Sequence, residues 1–217
     1  MAIIGIEGII GAGKTTFAKK LAEYFKLRAI LEPVDDNPLL NDFYAEMDAN
    51  GGRATLTAFP MQMWLMARRH TMQQLAAWDS HLGEYKGTVL DRTLPGDRVF
   101  CKLHVKNGNI NEKFWTVYEY FYDVMSLNMP TPNLIVFLDV DPQSAFERKN
   151  KRGRACESRV PLAYFRELHR GYLDLMAEIE SGAHRWSRGL QVMRVPWNVD
   201  DQDPTPIFNE IGHVCRF

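Results

Sequence analysis

Cysteine is scarce in this chain. Cys101, Cys156 and Cys215 are the three in 217 residues, an odd number with no C-x-x-C pair. Neither a disulfide framework nor a zinc knuckle fits that spacing, so free thiols in a reducing compartment are expected. Long apolar runs are missing too. The stretch Met1-Ala2-Ile3-Ile4-Gly5-Ile6 has no basic region ahead of it, and Glu7 breaks it far short of the roughly 20 residues that cross a bilayer. A cytoplasmic protein with no membrane partner is the expectation. Neither sign of charge dominates, because 26 Lys and Arg face 27 Asp and Glu for a net charge of −1. Such a balance gives no global field for a nucleic acid polymer or an anionic lipid surface, so any anion site has to be local. The six histidines show no metal-ligand spacing and read as core or surface residues. No repeat or low-complexity linker divides the chain, and a 46% hydrophobic content excludes disorder; one domain over residues 1–217 is expected.

What is present is alternation. Short runs at residues 3–6, 28–31, 88–90, 134–139 and 190–195 are aliphatic or β-branched on both faces, as in strands covered on both sides. Helical stretches separate them, which argues for βαβ units and an α/β fold with a five-stranded parallel sheet flanked by helices. Residues 58–67 are apolar nearly all round. A helix of that kind is buried on more than one side, against the sheet and other helices or across a subunit interface, so a homodimer through helices is expected. Asp141-Pro142 opens a further helix with an N-cap and a first-turn proline, and Gly153 is placed to end it. The charged, glycine-containing bridge at residues 151–157 reads as a movable flap, with the next helix starting near Pro161.

Gly8-Ile9-Ile10-Gly11-Ala12-Gly13-Lys14-Thr15 fits G-x-x-x-x-G-K-[ST], follows an expected strand and opens an amphipathic helix containing Phe17, Leu21 and Tyr24. That is the context a phosphate-binding loop requires. Glycines let backbone N–H groups wrap a phosphate, the helix N-terminus adds partial positive charge, Lys14 reaches the outer phosphates and Thr15 offers a hydroxyl to Mg²⁺. ATPases, GTPases and kinases all remain open at this point. The receiving group is decided at the strand ends, since ligands of open parallel sheets bind beyond the carboxyl ends of the strands. Glu32-Pro33 ends the second strand and Asp91-Arg92-Thr93 the third. A hydroxyl acceptor needs a carboxylate to take its proton and an arginine to balance developing charge, which nominates Glu32 and Arg92. Asp91 is the candidate to hold Mg²⁺ through water, and spacing alone does not separate these roles. Gln62 and Arg69 stand seven apart, two turns along one face of an otherwise apolar helix, where buried polar groups need partners.

With these motifs in place the sequence resembles the deoxyribonucleoside kinases, the group of deoxycytidine, deoxyguanosine and deoxyadenosine kinases. The likeness runs through residues 8–16, Glu32-Pro33-Val34, the helix from Gln62 to Arg69, Asp91-Arg92-Thr93 with Asp97-Arg98, and residues 148–157 followed by Pro161-Leu162-Ala163-Tyr164. It implies a P-loop kinase fold with an Arg-rich lid at about residues 148–160. The expected activity is transfer of the γ-phosphoryl of ATP, with Mg²⁺, to the 5′-hydroxyl of a small-molecule deoxynucleoside.

The resemblance distributes the roles. Glu32 is the base on the 5′-hydroxyl, Arg92 stands beside it, and Arg148, Arg152 and Arg154 close on the ATP phosphates bound by Gly8, Gly11, Ala12, Gly13, Lys14, Thr15 and Thr16. Spacing agrees in part, because Arg148 and Arg152 are four apart and share a helix face. Glu157 is implied to receive the sugar 3′-hydroxyl with Tyr44 as its phenolic partner, although residues 45–57 run several residues longer than the family pattern and a core tyrosine is the alternative. Gln62 is implied to read a base edge, with Arg69 and Asp97 at the deeper polar end of the pocket; Phe121 or a neighbour is a candidate to stack on the base. Thymidine-preferring relatives lack the Arg and Asp pair, so purine deoxynucleosides or deoxycytidine are the expected acceptors. The loop beginning Pro196-Trp197-Asn198 resembles one that lies over adenine. The rival reading is a thymidylate-like nucleoside monophosphate kinase. Such a site calls for extra arginine near the acceptor, and none is evident around Glu32.

Overall fold

The computed structural model describes residues 2–32, 36–83, 85–127, 129–153, 160–198 and 202–217. Five strands, β1 (Ala2–Glu7), β2 (Arg28–Ile30), β3 (Gly87–Asp91), β4 (Leu134–Asp139) and β5 (Gln191–Pro196), form one sheet in the order β2-β3-β1-β4-β5. Every pairing is parallel. β1, β3 and β4 read as continuous aliphatic runs because both their faces are covered, whereas β5, at an edge, alternates in exposure.

Eight helices complete the described chain: α1 (Lys14–Phe25), α2 (Leu40–Ala49), α3 (Ala58–Leu82), α4 (Leu94–Lys106), α5 (Glu112–Ser126), α6 (Pro142–Arg152), α7 (Leu162–Glu180) and α8 (Thr205–Cys215). Asp141 caps α6 by accepting from the amides of Gln143 and Ser144, and Gly153 ends it at φ 70° in the left-handed region that glycine tolerates, both as the sequence suggests. α1 buries Phe17 and Leu21 as expected, but Tyr24 is half exposed and bonds Asn209 at the surface.

The sheet places the chemistry at one edge. Chain order reverses around β1, which lies between β3 and β4, so the loop leaving β1 sits at the switch point where open parallel sheets bind ligands. Ile6 pairs with Asp91 and Ile30 with Leu90, which puts Glu7, Glu32 and Asp91-Arg92 side by side at the carboxyl ends of β1, β2 and β3. The first half of α3 closes that edge from above. Met61, Gln62, Met66 and Arg69 are buried, and Phe59, Met63 and Leu65 are half-buried against the core. No helix among the described residues is long and apolar enough to cross a membrane.

Candidate active site

A cavity of about 310 Å³ opens at the strand ends. Its wall is drawn from the phosphate loop, from Glu32 and Asp91-Arg92, and from α2, α3, α4, α6 and α7. At one end lie Gly11, Lys14 and Thr15. Gly13 is the N-cap of α1 at φ 85°, with no side chain capping the helix and no acid in its first turn. The amides of that turn are therefore left for an anion, as such a loop requires. Gly11, at φ 78°, could not carry a side chain, because a Cβ would come within 2.2 Å of the Ala145 carbonyl oxygen. Gly8 offers its carbonyl to Arg92, and Ala12 is fully buried under the loop. Lys14 Nζ donates to the Ile9 carbonyl at 2.8 Å. Burial, with Arg92 nearby, pulls the Lys14 ammonium down to a pKa of about 7.

Thr15 Oγ1 donates to Asp91 Oδ2, while Asp91 Oδ1 is buried without a hydrogen-bond partner among the described residues. No group of three or more His, Cys, Asp or Glu side chains assembles there as a metal cage among the described residues. A hydroxyl and a carboxylate at the phosphate loop suit Mg²⁺, which keeps several waters and takes few protein ligands.

Glu32, which shares Arg92 with the Gly8 carbonyl of the loop, is gripped twice. Arg69 Nη2 donates to its Oε1 at 2.6 Å and Arg92 Nε to its Oε2 at 2.8 Å. Burial raises the Glu32 pKa, but the Arg69 and Arg92 guanidiniums outweigh burial and hold it below the ordinary value. The group is thus a carboxylate at neutral pH, and each oxygen retains acceptor capacity for a substrate hydroxyl. Arg92 itself takes φ 78°, an uncommon conformation for a non-glycine residue. Its amide donates to the Ile6 carbonyl at 3.0 Å, its Nη1 to the Tyr172 hydroxyl at 2.8 Å, and its guanidinium lies 4.8 Å over the Phe100 ring.

Behind Arg92 stands a residue that belongs to none of the motifs. Glu7 is fully buried and accepts from the Thr93 amide and hydroxyl at 2.7 Å and from Tyr172 at 2.9 Å. Gly96 makes room for it, since a Cβ there would approach Glu7 Oε1 to 2.2 Å. A charged residue closing an otherwise aliphatic strand was the available signal, because a buried carboxylate needs partners.

The base-binding candidates meet the structure unevenly. Gln62 and Arg69 both line the cavity, Gln62 Nε2 donates to the Asp97 carbonyl at 3.2 Å, and Gln62 Oε1 is buried without a partner among the described residues. Asp97 does not line it. It sits behind Arg69, ion-paired to that guanidinium and accepting from the Tyr118 hydroxyl at 2.5 Å, because it faces inward from the first turn of α4. Arg69 consequently joins Glu32 to Asp97 instead of serving the pocket's deep end alone. Phe121 is exposed on α5 and does not line the cavity, whose aromatic side chains are Phe43, Tyr44, Phe100 and Tyr164. Tyr44 lines the cavity from α2. The arginines missing around Glu32 in sequence are delivered by the fold, as Arg69 and Arg92, yet both are answered by Glu32 and Asp97.

On α6, Arg152 lines the main cavity, while Arg148 donates to the Trp197 carbonyl at 2.9 Å beside a neighbouring cavity of about 170 Å³ that also contains Gly13, Thr16 and Lys20. Trp197, just after β5, lines that second cavity with Gly13 and Thr16 of the phosphate loop. Arg154 and Glu157 lie outside the described residues, as does the rest of the expected lid between residues 154 and 159.

A phosphate loop, the Glu32 carboxylate close enough to Lys14 for the two charges to interact, and a cavity wall with unsatisfied amide groups define a phosphotransferase with a small hydroxyl acceptor. The family model described as deoxynucleoside kinase matches residues 4–208. The chain belongs to the deoxynucleoside kinase family, whose members phosphorylate deoxynucleosides to 5′-monophosphates in an ATP-dependent reaction. It is 34% identical to the deoxyadenosine kinase of Dictyostelium discoideum over 195 residues, covering 90% of this chain and 72% of that one. It is 33% identical to the deoxyguanosine kinase of the same organism over 211 residues, 97% of this chain and 69% of the relative. The fold matches a solved deoxyadenosine kinase from M. mycoides with bound dCTP, at a TM-score of 0.78 and 22% identity, over 97% of this chain and 99% of that one.

Proposed function

We propose that this kinase passes the γ-phosphoryl group of Mg·ATP to the 5′-hydroxyl of a purine deoxynucleoside or deoxycytidine, with thymidine a poor acceptor. One observation carries the assignment of the acceptor: Glu32, held ionised between Arg69 and Arg92, shares the cavity with Lys14 of the phosphate loop. A hydroxyl bound between them gives its hydrogen bond to Glu32, which receives the proton as the oxygen–phosphorus bond forms. Lys14 and the loop amides hold the outer phosphates, and Arg92 balances charge on the transferring group. Mg²⁺, when bound, neutralises the β- and γ-phosphates, and Thr15 and Asp91 are the residues that would hold it. Arg148, Arg152 and Arg154 are assigned to the phosphates from the lid, Thr16 to the ATP side, and Tyr44 with Glu157 to the sugar 3′-hydroxyl.

For the base, Gln62 offers an amide donor and an acceptor, and the Arg69 and Asp97 pair disfavours the thymine methyl group. The paired carboxylates argue against a monophosphate acceptor, because Arg69 and Arg92 have no net positive charge to spare for an incoming phosphate. The apolar residues Phe114, Val117, Tyr120 and Phe121 exposed on α5 are consistent with a homodimer through helices, which light scattering would read. A reducing, cytoplasmic setting fits the free thiols Cys101 and Cys215.

The deciding experiment offers Mg·ATP with deoxyadenosine, deoxyguanosine, deoxycytidine or thymidine, and with the matching monophosphates in parallel, and separates products by mass. Monophosphate products with thymidine weakest are expected. Diphosphate products would replace this reading with a monophosphate kinase, and ADP without a phosphorylated acceptor would make the protein a nucleotide hydrolase.

A further inference from the structure

On α4, Asp97, Phe100 and His104 are three and four residues apart and share a face. The first two support Arg69 and Arg92. His104 has no part in the reading above, yet it is 1% exposed and lines the 310 Å³ cavity.

The neighbours of His104 decide which ring nitrogen carries the proton. The Ala54 amide donates to Asn109 Oδ1 at 3.1 Å. A backbone N–H only donates, so the Asn109 carboxamide is fixed with its NH₂ toward His104 Nδ1, 3.3 Å away. Nδ1 therefore accepts, and the proton of the neutral imidazole sits on Nε2. Burial keeps the ring neutral by pulling its pKa down to about 4. The amides of Asn109 and Ile110 close on the His104 carbonyl at 2.8 and 3.2 Å, and Phe43 packs edge-on at 5.2 Å, so the ring is held in place. Nε2 has no hydrogen-bond partner among the described residues and is not one of the polar atoms sealed from solvent. The little exposure His104 keeps is exposure to the cavity it lines.

We propose that His104 is a specificity-determining residue that donates its Nε2–H to a hydrogen-bond acceptor on the base of the bound nucleoside. The inference rests on the proposed function and deepens it. Arg92 marks the transfer end just before α4 begins, and Gln62 meets the helix at Asp97. His104 lies about 15 Å of helix rise beyond Leu94, at 1.5 Å per residue, on the far side of that contact. Phe43 packs against its ring, and Leu40 and Phe100 line the same cavity. A fixed donor there favours an acceptor atom and penalises a base that presents none, because the N–H would be left buried and unpaired. A purine paired along one edge with Gln62 keeps a ring nitrogen on another edge and reaches further than a pyrimidine, so His104 favours purine deoxynucleosides.

A substrate-by-variant cycle tests this. Wild-type protein and His104→Phe are each assayed with 2′-deoxyadenosine and with its 1-deaza, 3-deaza and 7-deaza analogues, in which C–H replaces one ring nitrogen. Gln62→Ala runs alongside to identify the edge read by Gln62. The expected result is a loss of about tenfold in kcat/KM, carried by KM, for one analogue that Gln62→Ala does not single out. His104→Phe should lose about as much on deoxyadenosine and nothing further on that analogue, with the KM for ATP unchanged. Equal losses on every analogue in His104→Phe would overturn the proposal. So would wild-type protein that loses affinity only for the analogues coupled to Gln62, or a His104 effect that vanishes with 2′,3′-dideoxyadenosine and so tracks the sugar. Should His104→Phe not fold, His104→Gln takes its place in the cycle, and a wild-type profile with no loss outside the analogues coupled to Gln62 overturns the proposal without either variant. Failure of wild-type protein to phosphorylate any deoxynucleoside would refute the proposed function itself, a different result from a missing coupling.

Discussion

Arg69 Nη2 lies 2.6 Å from Glu32 Oε1, and the same guanidinium is ion-paired to Asp97 on its other side. A candidate catalytic carboxylate and a candidate specificity pair are thereby one network. Substitutions of Arg69 or Asp97 at the base end of the cavity should therefore reach the transfer end.

Glu32→Gln is expected to lower kcat by at least about 100-fold, the lower range for removing a general base, with a much smaller change in nucleoside KM. Steady-state kinetics with deoxyadenosine and ATP check this. A kcat near that of the wild type would remove Glu32 as the proton acceptor.

Replacing Asp97 alone by Ala leaves Arg69 half-compensated in the interior and should destabilise the fold by about 3–5 kcal/mol. Replacing the pair together, Arg69→Leu with Asp97→Ala, should cost less stability and raise thymidine relative to deoxyadenosine in kcat/KM. Its absolute kcat should fall, because Glu32 loses a partner. Urea melts and competition between the two nucleosides give both readouts; an unchanged ratio would show that the pair does not select the base.

Asp91→Asn keeps the size of the side chain but removes the charge beside Thr15. The Mg²⁺ concentration for half-maximal rate should rise by about tenfold or more, in line with the loss of an outer partner at a metal site. A titration of rate against free Mg²⁺ at saturating ATP measures it, and an unmoved midpoint would place the metal elsewhere.

Lys14 gives a pH signature whose sign is fixed. Its folded pKa is lowered from 10.5 to about 7, so between those values the unfolded chain binds more protons than the folded one. Stability of the ligand-free protein should therefore gain from Lys14 as pH rises through that window. ATP binding needs the charged ammonium and should take up a proton above pH 7, so ATP affinity should fall by up to about tenfold per pH unit. Calorimetry in buffers of different ionisation enthalpy reads the proton uptake directly, and Lys14→Met should abolish it.

Gly96→Ala tests the buried support of Arg92. The added Cβ would meet Glu7 Oε1, so Glu7 must shift and its bonds to Thr93 and Tyr172 must lengthen. A destabilisation of about 1–3 kcal/mol is expected from the overpacking, visible as a lower urea midpoint, together with a lower kcat through Arg92.

Much of this protein was determined locally. Gly11, Gly13, Lys14 and Thr15 form a phosphate loop because backbone conformation and chain direction are set within a few residues, and the runs that became β1, β3 and β4 were legible because burial on two faces leaves a mark in composition, whereas β5 alternates at its edge. Asp141 and Gly153 delimit α6 for the same local reason. Helical spacing also put Gln62 and Arg69 on one wall. Only the tertiary structure decided which distant side chains share a charge. Glu32 meets Arg69 and Arg92 across separations of 37 and 60 residues, and Glu7 meets Tyr172 across 165. Spacing along the chain holds no record of such pairs. Whether Asp97 faces the cavity or supports Arg69 from behind, and whether His104 is a filler or a fixed donor, depends on how α3, α4 and the 104–109 turn pack, since a buried polar group acquires its role from the partners that desolvation forces it to find.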